Sequence, residues 1–134
     1  MAKILIVDDE PDVTSAFGRY FERTGHDVLR AGTGDEAIAI VEAEHPALML
    51  LDLKLPDMTG FEVLEQTREH RPVVIMVTGH AEVSLAVRAM QAGPESSHTK
   101  PVKIAHLGAV VDRALDKAQL RELGRAAGAR VGRV

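Results

Sequence analysis

Short aliphatic runs alternate with helical patterns along this chain, and each run stops on polar residues at the same end. Lys3-Ile4-Leu5-Ile6-Val7 stops on Asp8-Asp9, Ala47-Leu48-Met49-Leu50-Leu51 on Asp52, and Val73-Val74-Ile75-Met76-Val77 on Thr78-Gly79. A weaker run ends on Lys100-Pro101. Spacings of roughly 20–26 residues suit parallel strands joined by helical crossovers. The first and third runs are almost wholly apolar, as central strands covered on both faces must be. Right-handed crossovers then give a doubly wound α/β sandwich of about five strands and five helices. Ligands of such sheets bind beyond the carboxyl ends of the strands. Acids, a hydroxyl and an amine are therefore expected to share one cleft.

Turn chemistry supplies the remaining elements. Strands are expected at Lys3–Val7, Asp27–Ala31, Ala47–Leu51, Val73–Val77 and Glu95–Thr99. The last has poor strand composition, Glu-Ser-Ser-His-Thr, which only a sheet edge tolerates. The first helix starts near Pro11, turns Val13, Ala16, Phe17, Tyr20 and Phe21 inward, and stops at Gly25. A second, capped by Thr33 or Asp35, reaches Glu44; further helices are expected at Gly60–His70 and Glu82–Gln91. In the last helix Ile104, Leu107, Val111, Ala114 and Ala118 stay in phase, carrying it to Arg121-Glu122. Residues 1–121 thus read as one domain, and 122–134 as a helix end or linker remnant, because the tail from Gly124 shows no apolar face.

Composition excludes several functions. The chain has 134 residues, enough for one self-sufficient core. Aromatic residues make up 3%, too few for a platform that stacks single-stranded bases. The net charge of -4 disfavours direct DNA binding, which needs a basic surface. With no Cys, thiolate catalysis and zinc-thiolate sites are ruled out. No apolar run approaches the roughly 20 residues of a membrane span or resembles a signal peptide, so a cytoplasmic location is expected.

Asp8, Asp9 and Asp52 form the central group. An acid after a strand can simply cap the next helix. Two adjacent acids, with a third at the same end of a neighbouring strand, point further, because crowded like charges oppose ionisation without a cation. Mg²⁺ suits an all-oxygen site that keeps several waters. Lys100 could be an ordinary solvated lysine, but Pro101 restricts its backbone and so aims it. An ammonium there can neutralise a carboxylate or grip a phosphoryl oxygen. Thr78, with Gly79 behind it, can offer a hydroxyl and amides to an anion. Together these groups suit phosphoryl transfer, in which a carboxylate can be the covalent acceptor. Asp52, alone at the end of a central strand, is the best nucleophile.

The set Val7-Asp8-Asp9-Glu10-Pro11, Leu51-Asp52-Leu53-Lys54-Leu55-Pro56-Asp57-Met58-Thr59-Gly60, Val77-Thr78-Gly79-His80 and Lys100-Pro101 resembles the receiver domain of two-component response regulators, over about residues 3–118. The stretch from Val77 to Gly93 is similar to receivers of enhancer-binding transcription activators. The resemblance implies a flavodoxin-like three-layer sandwich with strand order 2-1-3-4-5. It implies that Asp52 accepts a phosphoryl group from the phosphohistidine of a sensor histidine kinase. Asp9 and Asp52, with Asp8 in support and the backbone carbonyl of Lys54, would hold Mg²⁺, and Thr78 and Lys100 would bind the phosphoryl oxygens. Beyond its own phosphotransfer and slow autodephosphorylation, such a chain is not an enzyme. Its expected readout surface, a candidate homodimer face, is the fourth helix, fifth strand and fifth helix, Ala81 to Ala118.

The chain departs from that pattern at Ser97, where receivers usually carry Tyr or Phe, and at the following His98, expected as an exposed edge residue. These positions motivate an alternative, a degenerate receiver serving as a phosphorylation-independent interaction module. An aspartyl-phosphate hydrolase is opposed by Lys54, which stands where such enzymes place a second, acid-catalysing Asp. Lys54 and His80 are the positions expected to flank the path of hydrolytic water.

Overall fold

The ladder of a parallel sheet brings the polar run-ends together. In the computed structural model, which describes residues 2–79, Arg88, Gln91 and residues 93–131, five parallel strands form one sheet. They are β1 (Lys3–Val7), β2 (Asp27–Ala31), β3 (Leu48–Leu51), β4 (Val73–Thr78) and β5 (Ser96–Thr99), in the order β2-β1-β3-β4-β5. Val7 lies opposite Leu51, and Leu51 opposite Met76, so β1, β3 and β4 end at nearly one level. The polar β5 is an edge strand, as its composition requires.

Period-2 alternation divides the aliphatic side chains between two faces. Leu5, Val7, Met49, Leu51, Val74 and Met76 pack with Ala37 and Val41 of helix α2 (Gly34–Glu44) and Val63 of α3 (Gly60–Thr67). Ile4, Ile6, Leu48, Leu50, Ile75 and Val77 pack with Phe21 of α1 (Pro11–Arg23) and Leu107, Val111 and Ala114 of α4 (Ile104–Val131). Each such burial contributes about 1.5–3 kcal/mol. The central strands are therefore fixed from both sides, and the residues following them inherit that rigidity.

Helix ends follow the expected chemistry. Pro11 opens α1, and Gly25 adopts φ +95° just beyond its end. Thr33 caps α2 through its hydroxyl, which accepts from the Glu36 amide. Other elements differ from the sequence reading. Ala16 is exposed rather than on the core face of α1. Ala47 lies outside β3, and the helix beginning at Gly60 gives way after Thr67 to a 3₁₀ turn, Arg68–His70. Helical backbone in α4 continues to Val131, ten residues past Arg121. Its alanines and arginines, good helix formers, supply propensity where an apolar face is missing. The helix expected at Glu82–Gln91 lies outside the described residues apart from Arg88 and Gln91, both helical.

Candidate functional site

Backbone hydrogen bonds carry the sheet one step beyond its strands and seat the candidate site residues. The Asp8 amide donates to the Ala31 carbonyl at 3.0 Å, and the Asp52 amide to the Val7 carbonyl at 3.1 Å. The Lys100 amide donates to the Thr78 carbonyl at 2.8 Å. Asp8, Asp52, Thr78 and Lys100 are thereby placed at the carboxyl end of four neighbouring strands. Asp8, Asp52 and Thr78 are only 4%, 5% and 4% exposed, deep for two acids and a hydroxyl.

The charges converge on one amine. Lys100 Nζ lies 2.5 Å from Asp8 Oδ2, 3.4 Å from Asp52 Oδ2 and 3.8 Å from Glu10 Oε1. The other Asp8 oxygen accepts from the Glu10 amide at 2.9 Å, and Asp52 Oδ1 lies 3.4 Å from the Lys54 amide. Burial pushes the Asp8 carboxyl above its ordinary value, against the opposing pull of the Lys100 hydrogen bond. Burial alone would lower Lys100. The Asp8 hydrogen bond and the charges of Asp52 and Asp8 together outweigh it, so the ammonium is held above its ordinary value. The Lys100–Pro101 peptide is cis.

Carboxylate oxygens of Asp8, Asp9 and Glu10 all lie within 4.8 Å of one another. One ammonium cannot balance those three acids and Asp52, and an all-oxygen donor set beside exposed Asp9 and Glu10 suits a hard cation that retains water. The donor chemistry therefore fits Mg²⁺. Sequence reasoning named Asp8, Asp9 and Asp52 as the acidic group and left Glu10 out of it; the Glu10 side chain makes no cap hydrogen bond to α1. The signal available was its adjacency to Asp8 and Asp9.

Comparison with known proteins decides the family. The response regulator receiver domain family matches residues 4–112. The chain belongs to that family. Among curated relatives of this receiver, regulatory protein AtoC of Escherichia coli is 35% identical over 130 residues, 92% of this chain and 28% of AtoC. Luminescence regulatory protein LuxO of Vibrio campbellii is 36% identical over 115 residues, 84% of this chain and 25% of LuxO. The chain thus spans about a quarter of the length of these two relatives. Among solved structures, the signal receiver domain of a LuxO repressor protein from Vibrio parahaemolyticus matches with TM-score 0.85 and 34% identity, covering 91% of this chain and 95% of that one. A CheY-like receiver domain protein from Methanospirillum hungatei matches with TM-score 0.86 and 35% identity, covering 90% and 98%.

Within this receiver the edge strand departs from expectation. Ser97 is exposed, but His98 is half-buried against α4 rather than exposed. Its ring meets that of His106 at a centroid distance of 5.8 Å, and its Nε2 lies 2.9 Å from Ser96 Oγ. Burial, with the charge of His106, lowers the His98 pKa. His80 and the helix at Glu82–Gln91, apart from Arg88 and Gln91, lie outside the described residues. None of the helices is long and apolar enough to cross a membrane among the described residues.

Proposed function

We propose that this receiver takes a phosphoryl group from the phosphohistidine of a sensor histidine kinase onto Asp52, in a Mg²⁺-dependent reaction, and signals by the conformational change that follows. The supporting observation is the placement of Asp52, 5% exposed at the end of a central strand with Lys100 Nζ 3.4 Å away. An Asp52 carboxylate oxygen attacks phosphorus as the bond from phosphorus to the donor imidazole nitrogen breaks. The imidazole leaves with the bonding pair and takes a proton from solvent. Negative charge spreads over the three phosphoryl oxygens in the transition state. Lys100, held cationic, and the Thr78 hydroxyl are the proposed donors to them. The β1 and β3 backbones keep Asp52 from retreating, so positioning supplies most of the rate.

Asp8, Asp9 and Asp52 with the Lys54 carbonyl are the proposed Mg²⁺ ligands. When bound there, such an ion would offset the negative charge of the acceptor carboxylate and of the incoming phosphoryl group. The proposed output face is the stretch from Ala81 to Ala118, the helix expected between β4 and β5 together with β5 and α4, on which a second copy would pair. Incubation with acetyl phosphate and Mg²⁺, read by intact mass, tests the reading. One phosphoryl adduct is expected, absent in Asp52→Asn and without Mg²⁺. No adduct on the wild-type chain, or an adduct that survives in Asp52→Asn, refutes it.

A further inference from the structure

We propose that Asp57 is a positioning residue, mooring the loop after Asp52 to the N-terminus of α2 and so setting how tightly the acidic cleft holds a divalent cation. The inference rests on the reading of that cleft given above. Asp57 Oδ1 accepts from the Gly34 amide at 2.8 Å and Oδ2 from the Asp35 amide at 2.9 Å, spanning 23 and 22 residues of chain. The rest of this helix start is served locally. Thr33 Oγ1 takes the Glu36 amide at 3.1 Å, and the Thr33 carbonyl takes that of Ala37 at 3.1 Å. With its own cap already present, α2 does not depend on a distant carboxylate to begin.

The loop does depend on it. Its other hydrogen bonds are internal or reach only its neighbours. Leu55 N donates to the Met58 carbonyl at 3.1 Å, Gly60 N to that of Leu53 at 2.7 Å, and Thr59 caps α3. Among the described residues, the hydrogen bonds that join 53–59 to a different part of the fold are the two made by Asp57. Met58 reinforces the contact: a Cβ on Gly34 would fall 2.3 Å from Met58 Cγ. Lys54 rides on this loop, its amide 3.4 Å from Asp52 Oδ1 and its backbone bridged to Thr59. Mg²⁺ demands near-octahedral oxygens at short range and penalises small displacements. A loop freed from α2 would carry the Lys54 carbonyl away from its place.

The test compares Asp57→Ala with Thr33→Ala in the full chain; the second variant weakens the same helix start without touching the loop. Calorimetric titration with Mg²⁺ alone is expected to show about a tenfold weaker dissociation constant in Asp57→Ala, the low end for groups that orient metal ligands, and less than about a twofold change in Thr33→Ala. Asp57→Asn, which keeps one acceptor oxygen, should fall between. Both alanine variants should lower the melting temperature in chelator, so the split between affinity and stability carries the test. Equal Mg²⁺ affinity in Asp57→Ala and the wild type overturns the proposal. Should the wild-type chain bind no Mg²⁺, the reading of the cleft fails instead. The mooring is then judged by hydrogen exchange at the Lys54 and Leu55 amides, expected to accelerate in Asp57→Ala and not in Thr33→Ala; unchanged exchange overturns it.

Discussion

Replacing Lys100 by Met removes a cation that faces three acids and leaves the packing volume nearly intact. Asp8 and Asp52, 4% and 5% exposed, are then buried beside each other with no opposite charge in reach among the described residues. Breaking a buried ion pair from one side costs about 3–5 kcal/mol. The Lys100 side chain is itself 16% exposed, which admits water and favours the lower figure. An unfolding entropy of about 2.1 cal/mol/K per residue gives about 0.28 kcal/mol/K for a chain of 134 residues. A loss of about 3 kcal/mol thus lowers the melting temperature by about 11 °C. The assay is thermal and urea unfolding in the presence of a chelator, so that no metal substitutes for the ammonium. Adding Asp8→Asn to Lys100→Met should recover at least about 1 kcal/mol, because removing both partners costs less than stranding one. A single variant within about 1 kcal/mol of wild type, or no recovery in the double variant, would show that Lys100 does not neutralise Asp8.

Other substitutions test neighbouring parts of the structure. A Cβ at Gly60 would stand 2.4 Å from the Asp52 carbonyl oxygen and 3.1 Å from Leu53 Cα, both backbone atoms. Gly60→Ala should cost at least about 2 kcal/mol in urea unfolding and reduce the acetyl-phosphate adduct, since the strained contact is with Asp52 itself. Gly124→Ala meets nothing within 4 Å on an exposed helical turn. Because α4 runs through this position, the change should stabilise by up to about 1 kcal/mol in urea unfolding, and a destabilised variant would refute the helical assignment. Glu95 is held below its ordinary value of 4.5 by the Lys117 hydrogen bond first, and then by Arg121. A carboxyl lowered on folding stabilises the native state above its unfolded value and loses that contribution as pH falls through the lowered one. The stability gap between wild type and Glu95→Gln should therefore be steady near neutrality and close below about pH 4.5, with a size of about 1 kcal/mol or less because Lys117 and Arg121 are exposed. A gap that widens on acidification refutes the pairing.

What was legible in the sequence is what backbone periodicity and local chemistry control. The runs ending at Val7, Leu51 and Val77 read as adjacent parallel strands, because four or five consecutive aliphatics between helical patterns are what a strand covered on both faces requires. Once they did, the register brought Asp8, Asp52, Thr78 and Lys100 to one end, and pattern alone anticipated the cleft. Its wiring was another matter. Lys100 lies 92 residues from Asp8, and which acid it favours depends on side-chain reach, invisible to any spacing argument.

His98 shows a different failure. Composition marked β5 as an edge strand, and an edge strand suggests an exposed histidine. Yet an edge still has two faces, and α4 covers the one carrying Ser96 and His98, while Ser97 and Thr99 point the other way and remain exposed. Alternation within a polar strand is as strict as in an apolar one, but without hydrophobic contrast it leaves no mark in the sequence. Asp57 was hidden for a related reason. An acid next to a proline in a loop satisfies every local rule for a turn, so nothing local signals the two amides it meets on α2. Such groups come into view only when the strands have fixed which loop faces which helix. The least legible residues of this cleft are accordingly those that align it, while those proposed to carry its chemistry sit where the strands end.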